Sequence, residues 1–270
     1  MSNESAIGVF DSGLGGLCAV RALAEILPHE NIIYFGDTGR VPYGSKSREI
    51  IRKYTKQDAR FLLTHGVKAI LAACGTVSSN ALECIEEITE NPILGVVEDA
   101  AKEAYLSSNT KKIGVIGTQA TVNSGIFKQK IEDIDKNAEV IQCACPLFVP
   151  LVEYGFTSDD DEITRLTCER YLSFFKGRID TLILGCTHFP ILEKAISKTL
   201  PGVKLINPAK EAAHAMAKTL RENGLLCSRK EKGTISYFVS DEPSRFNSEG
   251  KIFLGKDFNI EAQKIEIDKF

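Results

Sequence analysis

The chain has 270 residues, 43% hydrophobic and 26% charged, and its 33 basic and 36 acidic side chains give a net charge of −3. That length is nearer two domains than one at roughly 150 residues per domain, and either half has enough apolar residues for a core of its own. The acidic balance argues against an unspecific nucleic-acid binder, which needs a basic surplus to neutralise phosphates, and no apolar run approaches the roughly 20 residues that cross a bilayer.

The opening Met-Ser-Asn-Glu-Ser-Ala-Ile-Gly-Val-Phe lacks the basic start and long apolar core of a secretory signal. The eight cysteines therefore read as reduced thiols of a cytoplasmic protein, most of them small buried hydrophobes, and not as a disulfide framework. Short apolar, β-rich runs then alternate with helical periodicity. A strand is expected over 7–10, a glycine-rich loop over 11–16, a helix over 17–27 and a strand over 31–35. A helix follows over 47–65, with Ile50, Ile51, Tyr54, Phe61 and Leu62 largely on one face, and then a strand over 69–73 that ends at Cys74. This alternation predicts an α/β fold of mainly parallel sheets with flanking helices.

The pattern recurs further on. Residues 113–116 resemble 7–10, 139–142 resemble 32–35 and 181–185 resemble 69–73, at offsets of 106, 107 and 112. Three strands in the same order at nearly constant offsets predict two similar α/β halves. Beyond them Asn207-Pro208 marks a crossing between the halves, 210–223 reads as a helix stopped by Gly224, 234–240 as a strand, and 241–250 as a polar, turn-rich stretch.

In open α/β sheets ligands bind outside the carboxyl ends of the strands. Cys74, in Ala-Ala-Cys-Gly-Thr, and Cys186, in Leu-Gly-Cys-Thr-His, stand just past corresponding strands of the two halves, each followed by a threonine, Thr76 or Thr187. Both are expected near a helix start, where backbone N–H groups favour a thiolate. If the halves face each other, the two sulfurs flank one cleft. That suits inversion of a carbon stereocentre, in which one thiolate removes a proton and the opposite thiol returns one. A free thiol has a pKa of about 8.5, so neighbours must assist: Asp11 beside Cys74 and His188 beside Cys186. Taken singly, each of these residues has a plainer reading: a buried cysteine, a capping aspartate, a loop histidine. A hydrolase built on Cys186 and His188 is a weaker alternative, because side chains two apart need not meet and Cys74 would then be unexplained. The loop Ser12-Gly13-Leu14-Gly15-Gly16 resembles an anion-binding turn but is no dinucleotide fingerprint, since Cys18 stands at the third glycine position. The Cys143-x-Cys145 pair has no second ligand pair at zinc spacing, so no metal is expected.

Longer segments carry a resemblance. Phe10-Asp11-Ser12-Gly13-Leu14-Gly15-Gly16, Tyr34-Phe35-Gly36-Asp37-Thr38, Pro42-Tyr43-Gly44, the run from Cys145 to Glu153, and Leu184-Gly185-Cys186-Thr187-His188 are similar to the glutamate racemase family, the cofactor-independent two-cysteine amino-acid racemases. The similarity spans nearly the whole chain. It implies catalytic thiols at Cys74 and Cys186, assisted by Asp11, Glu153 and His188. It implies contacts to a small amino-acid substrate from Asp11, Ser12, Pro42, Tyr43, Gly44, Gly75, Thr76, Thr118, Thr121, Thr187 and His188. It also implies two similar domains, 1–97 plus 208–270 and 98–207, with the active site between them. A homodimer is implied, with neither pyridoxal phosphate nor metal, supplying D-glutamate for peptidoglycan.

One position departs from the family pattern, which has Cys-Asn-Thr where this chain has Cys74-Gly75-Thr76. Loss of a hydrogen bond to a charged substrate costs roughly 1.5–3 kcal/mol. Gly75 keeps a backbone N–H and is expected to make room for water or a larger substrate. It bears on substrate and turnover more than on fold, and leaves open another amino acid such as aspartate, or a weakly active or non-catalytic binding or regulatory protein.

Overall fold

The computed structural model describes residues 3–255 and 257–270. Among the described residues ten strands form two wholly parallel sheets. The first sheet contains β1 (Ile7–Asp11), β2 (Ile32–Gly36), β3 (Ala69–Ala72) and β4 (Ile93–Gly95). The second contains β5 (Lys112–Gly117), β6 (Glu139–Ala144), β7 (Thr181–Leu184) and β8 (Lys204–Ile206). The last two, β9 (Ile235–Val239) and β10 (Ala262–Lys264), return to the first. The orders are β10-β9-β2-β1-β3-β4 and β6-β5-β7-β8. The series 2-1-3-4 is thus repeated as 6-5-7-8, so the strands that look alike in sequence occupy the same places in their sheets.

Strands β1, β3 and β7 are buried along both faces, as parallel strands covered by helices must be. On β3, Ala69 and Leu71 join one apolar cluster while Ile70 and Ala72 join another on the opposite face. One face is covered by helices Leu17–Ile26 and Pro208–Glu222, which pack together through residues such as Val20, Leu23, Ala213 and Met216. The other face is covered by Arg48–Thr64. The crossing at Asn207-Pro208 has a local cause: the Asn207 side chain accepts from the Ala209 N–H and Pro208 occupies the first helical turn, so the helix that returns to the first sheet starts there. The apolar cluster on this face runs on through Val96 and Ile116 into the second sheet, so the two lobes share packing.

The stretch 241–250 is not a turn region throughout. After Glu242, which takes a left-handed conformation at φ 52°, Pro243–Glu249 is helical and buries Phe246. Proline at the first helical position, with φ already set, starts this helix despite its polar composition. Among the described residues no helix is long and apolar enough to cross a membrane.

Candidate active site

The carboxyl ends of the two sheets face one another. Asp11 ends β1 and Ser12 follows it, Cys74 lies just past β3, Thr118 follows β5, and Gly185 and Cys186 follow β7. Between them is a cavity of about 390 Å³, within the size range of small-molecule sites. Ser12, Pro42, Tyr43, Gly44, Cys74, Gly75 and Thr76 line it from one lobe, and Thr118, Glu153, Cys186, Thr187 and His188 from the other. Both thiols are nearly covered, Cys74 at 4% exposure and Cys186 at 8%, and both line this one cavity.

Their surroundings differ. The Cys74 thiol points to Ser12 Oγ at 3.7 Å. Burial, and then the charge of Asp11, push its pKa up to about 12 against a bond from the Val77 N–H, so Cys74 holds its proton at neutral pH. On the other side Cys186 Sγ lies 3.9 Å from His188 Nδ1, and His188 Nε2 lies 3.1 Å from Glu153 Oε1. Burial disfavours charge on His188, but bonds to Cys186 and Glu153, and their charges, prevail and push its pKa up to about 10. Burial likewise acts against the Glu153 carboxylate, yet His188 and then Arg245 hold it below the usual range. Both cysteines were expected at helix starts. Cys74 does cap the helix Gly75–Asn80, but Cys186 is followed by a turn, and the 3-10 segment Phe189–Leu192 starts three residues later. What stands beside Cys186 is an imidazolium.

This arrangement sets a pH dependence. His188 gains its proton on folding, so its contribution to stability is complete below about pH 6.5 and is lost as pH rises through about 10. Catalysis that needs the imidazolium is expected to fall over the same alkaline limb in kcat/KM. His188→Gln should abolish that limb and lower neutral turnover by roughly 10²-fold or more. An unchanged limb near pH 10 in the variant would assign it to another group.

Two of the residues singled out in the sequence do not reach the cavity wall. Asp11 is fully buried behind the loop: its Oδ2 accepts from the Gly13 N–H at 3.0 Å, and its Oδ1 has no partner. Burial raises its pKa, opposed chiefly by the charge of His188. Thr121 is buried too, its Oγ1 3.0 Å from Thr118 Oγ1, which in turn lies 3.0 Å from Thr76 Oγ1 across the cleft. Tyr43 lines the wall with its ring, but its hydroxyl is turned away and donates to the buried carboxylates of Asp37 and Asp58, which Arg40 bridges at 2.6 and 2.9 Å. Gly75 does not leave free space: a Cβ there would lie 2.4 Å from the Gly185 carbonyl oxygen.

Other wall residues were missed. Cys145, Pro146, Val149 and Pro150 give the cavity much of its apolar lining. Cys145 directly follows β6 and so stands at a strand end, the same signal that pointed to Cys74 and Cys186. Asp58 lies in the middle of the helix Arg48–Thr64, where nothing local marks it. Among the described residues no group of three or more His, Cys, Asp or Glu could hold a metal ion.

Fold and site together describe an α/β protein with a cleft between two parallel sheets into which two thiols face. The profile of the Asp/Glu/Hydantoin racemase family matches residues 18–216, and the chain belongs to that family. It is 44% identical over 252 residues to a glutamate racemase of Geobacter metallireducens, covering 93% of each chain. With a glutamate racemase of Chlorobaculum tepidum it shares 46% identity over 260 residues, covering 95% of each. The crystal structure of a Francisella tularensis glutamate racemase in complex with D-glutamate superimposes with a TM-score of 0.92 at 40% identity, covering 99% of this chain and all of the other.

Proposed function

We propose that the chain is a glutamate racemase that inverts the α-carbon by two-base proton transfer, without a cofactor, through Cys74 and Cys186. The observation that carries this reading is the pair of thiols at equivalent strand ends of two lobes, lining one cavity. Cys186, 3.9 Å from His188, acts as the base, and Cys74, which holds its proton, as the acid. The Cys186 thiolate takes the α-proton from one face. The resulting carbanion takes a proton from the Cys74 thiol on the other face, which leaves Cys74 as thiolate and the net charge unchanged. The opposite enantiomer is processed with the roles exchanged. Hydroxyls of Ser12, Thr76, Thr118 and Thr187 supply donors to the substrate carboxylates and to the charge that develops. Asp11, one layer behind Ser12, orders the loop through the Gly13 N–H. A cytoplasmic homodimer supplying D-glutamate to peptidoglycan synthesis is part of the same proposal and rests on the family alone.

The Cys–His hydrolase alternative gains one point, since Cys186 and His188 do meet. It still leaves Cys74 in the same cavity without a role. The deciding experiment is incubation of each glutamate enantiomer in D2O. Interconversion with deuterium at Cα is expected from either side. Absence of both exchange and interconversion with glutamate would defeat the proposal, and faster turnover of aspartate would reassign the substrate.

A further inference from the structure

Gly75 is not a glycine that its own backbone requires. It opens the helix Gly75–Asn80 with φ outside the left-handed region, a conformation open to any L-residue. What the position lacks is space. A Cβ there would lie 2.4 Å from the Gly185 carbonyl oxygen, 3.3 Å from its carbon and 3.7 Å from Cys186 Cα. Two other glycines of the first lobe also meet the second: Gly15 at Thr187 and His188, and Gly44 at Thr118. There the obstacles are side-chain atoms. At Gly75 the obstacle is main chain at the end of a central strand, tied by the Gly185 N–H to the Ile116 carbonyl at 2.7 Å, and it has no rotamer to change.

The two residues in contact are the immediate neighbours of the two thiols. Gly75 follows Cys74 and Gly185 precedes Cys186. We propose that Gly75 is a positioning residue that sets the separation of the two thiols, its missing side chain letting the turn after Cys74 rest on the main chain before Cys186. An ordinary contact begins at 3.4 Å, so a Cβ at 2.4 Å calls for a relative shift of about 1 Å between the two turns along that line. Both sulfurs must reach the same carbon in one turnover, and a misplacement of about 1 Å costs on the order of 10²-fold in rate. The kinetic consequence rests on the two-base reading above; the spacing does not.

The test compares the wild type with Gly75→Ala and Gly75→Asn. Exchange of the α-hydrogen into recovered substrate needs one thiol, whereas inversion needs both. In Gly75→Ala, kcat/KM for racemisation is expected to fall on the order of 10²-fold, while deuterium wash-in to recovered substrate falls much less. Gly75→Asn should shift the ratio of inversion to exchange in the same direction. Independently of turnover, bifunctional thiol reagents of graded span, with the linked peptides mapped by mass spectrometry, should join Cys74 to Cys186 with a shorter reagent in the wild type than in Gly75→Ala. Inversion and exchange falling in parallel, unchanged racemisation, or an unchanged cross-linking span would each overturn the proposal. Failure of both variants to fold would make Gly75 a packing residue and overturn it too. If the wild type exchanges no amino acid, the functional reading fails, and the cross-linking comparison still decides the spacing.

Discussion

Replacing either cysteine of the cleft by serine is expected to lower glutamate racemisation by roughly 10²–10⁴-fold, the usual contribution of a positioned general acid or base. A serine hydroxyl matches the thiol in shape but ionises far less readily, so it leaves the cavity intact and removes the proton carrier. The two variants should differ in what survives. Cys74→Ser keeps Cys186 with His188 3.9 Å away, and so keeps one of the two proton carriers. It should still wash solvent deuterium into one enantiomer without inverting it. Cys186→Ser keeps only a thiol whose pKa burial and Asp11 push up to about 12, and its residual exchange should be slower and confined to the opposite enantiomer. The measurement is the deuterium content of recovered substrate and of product for both enantiomers. Near-normal racemisation by either variant would rule out two-thiol transfer. Exchange of the same enantiomer by both would show that the thiols do not address opposite faces.

The contrast between the cysteines marks the limit of what the sequence carries. Strand order along the chain was legible because the central strands β1, β2, β3, β5, β7 and β9 are apolar runs long enough to show themselves, and because the halves repeat one another. The three strands not anticipated, β4, β8 and β10, have three residues each and lie at sheet edges, where partial exposure and short length erase periodicity. Thr118 came only with the resemblance, whereas strand ends point to a cleft, so Cys74, Cys186 and His188 could be found from position. Electrostatics could not, since burial and the placement of Asp11 keep Cys74 protonated, and these depend on how the loops pack. Tyr43 shows the same limit from another side. It lies at the wall, but which way its hydroxyl points is decided by Asp58, 15 residues further along in a helix. At Gly75 the sequence showed a missing side chain, and only the opposite lobe shows what occupies its place.

The largest expected loss of stability lies at the other end of the first sheet. Lys68 immediately precedes β3, its side chain fully buried, and its Nζ lies 2.5 Å from Glu30 Oε2 and 2.6 Å from the Asn3 carbonyl. Glu30 is nearly as buried, and its other oxygen accepts from the Cys227 N–H at 2.8 Å. The pair thus ties the amino ends of the strands to the segment after the helix Pro208–Glu222. Lys68→Met removes the positive partner and leaves a buried carboxylate with one backbone donor. Breaking such a pair from one side costs about 3–5 kcal/mol, because the remaining charge loses its compensation, whereas replacing both partners by apolar side chains is often close to neutral. Urea denaturation should therefore place Lys68→Met about 3–5 kcal/mol below the wild type. The double variant Glu30→Leu/Lys68→Met should recover part of that, less about 1–3 kcal/mol for each backbone group left unpaired. Because the pair sits at the end of the strands away from the thiols, kcat/KM of the folded Lys68→Met protein should match the wild type. A single variant within about 1 kcal/mol of the wild type, the ordinary scale of an exposed pair, would mean that water reaches the site and that the pair is not the anchor of this end of the sheet.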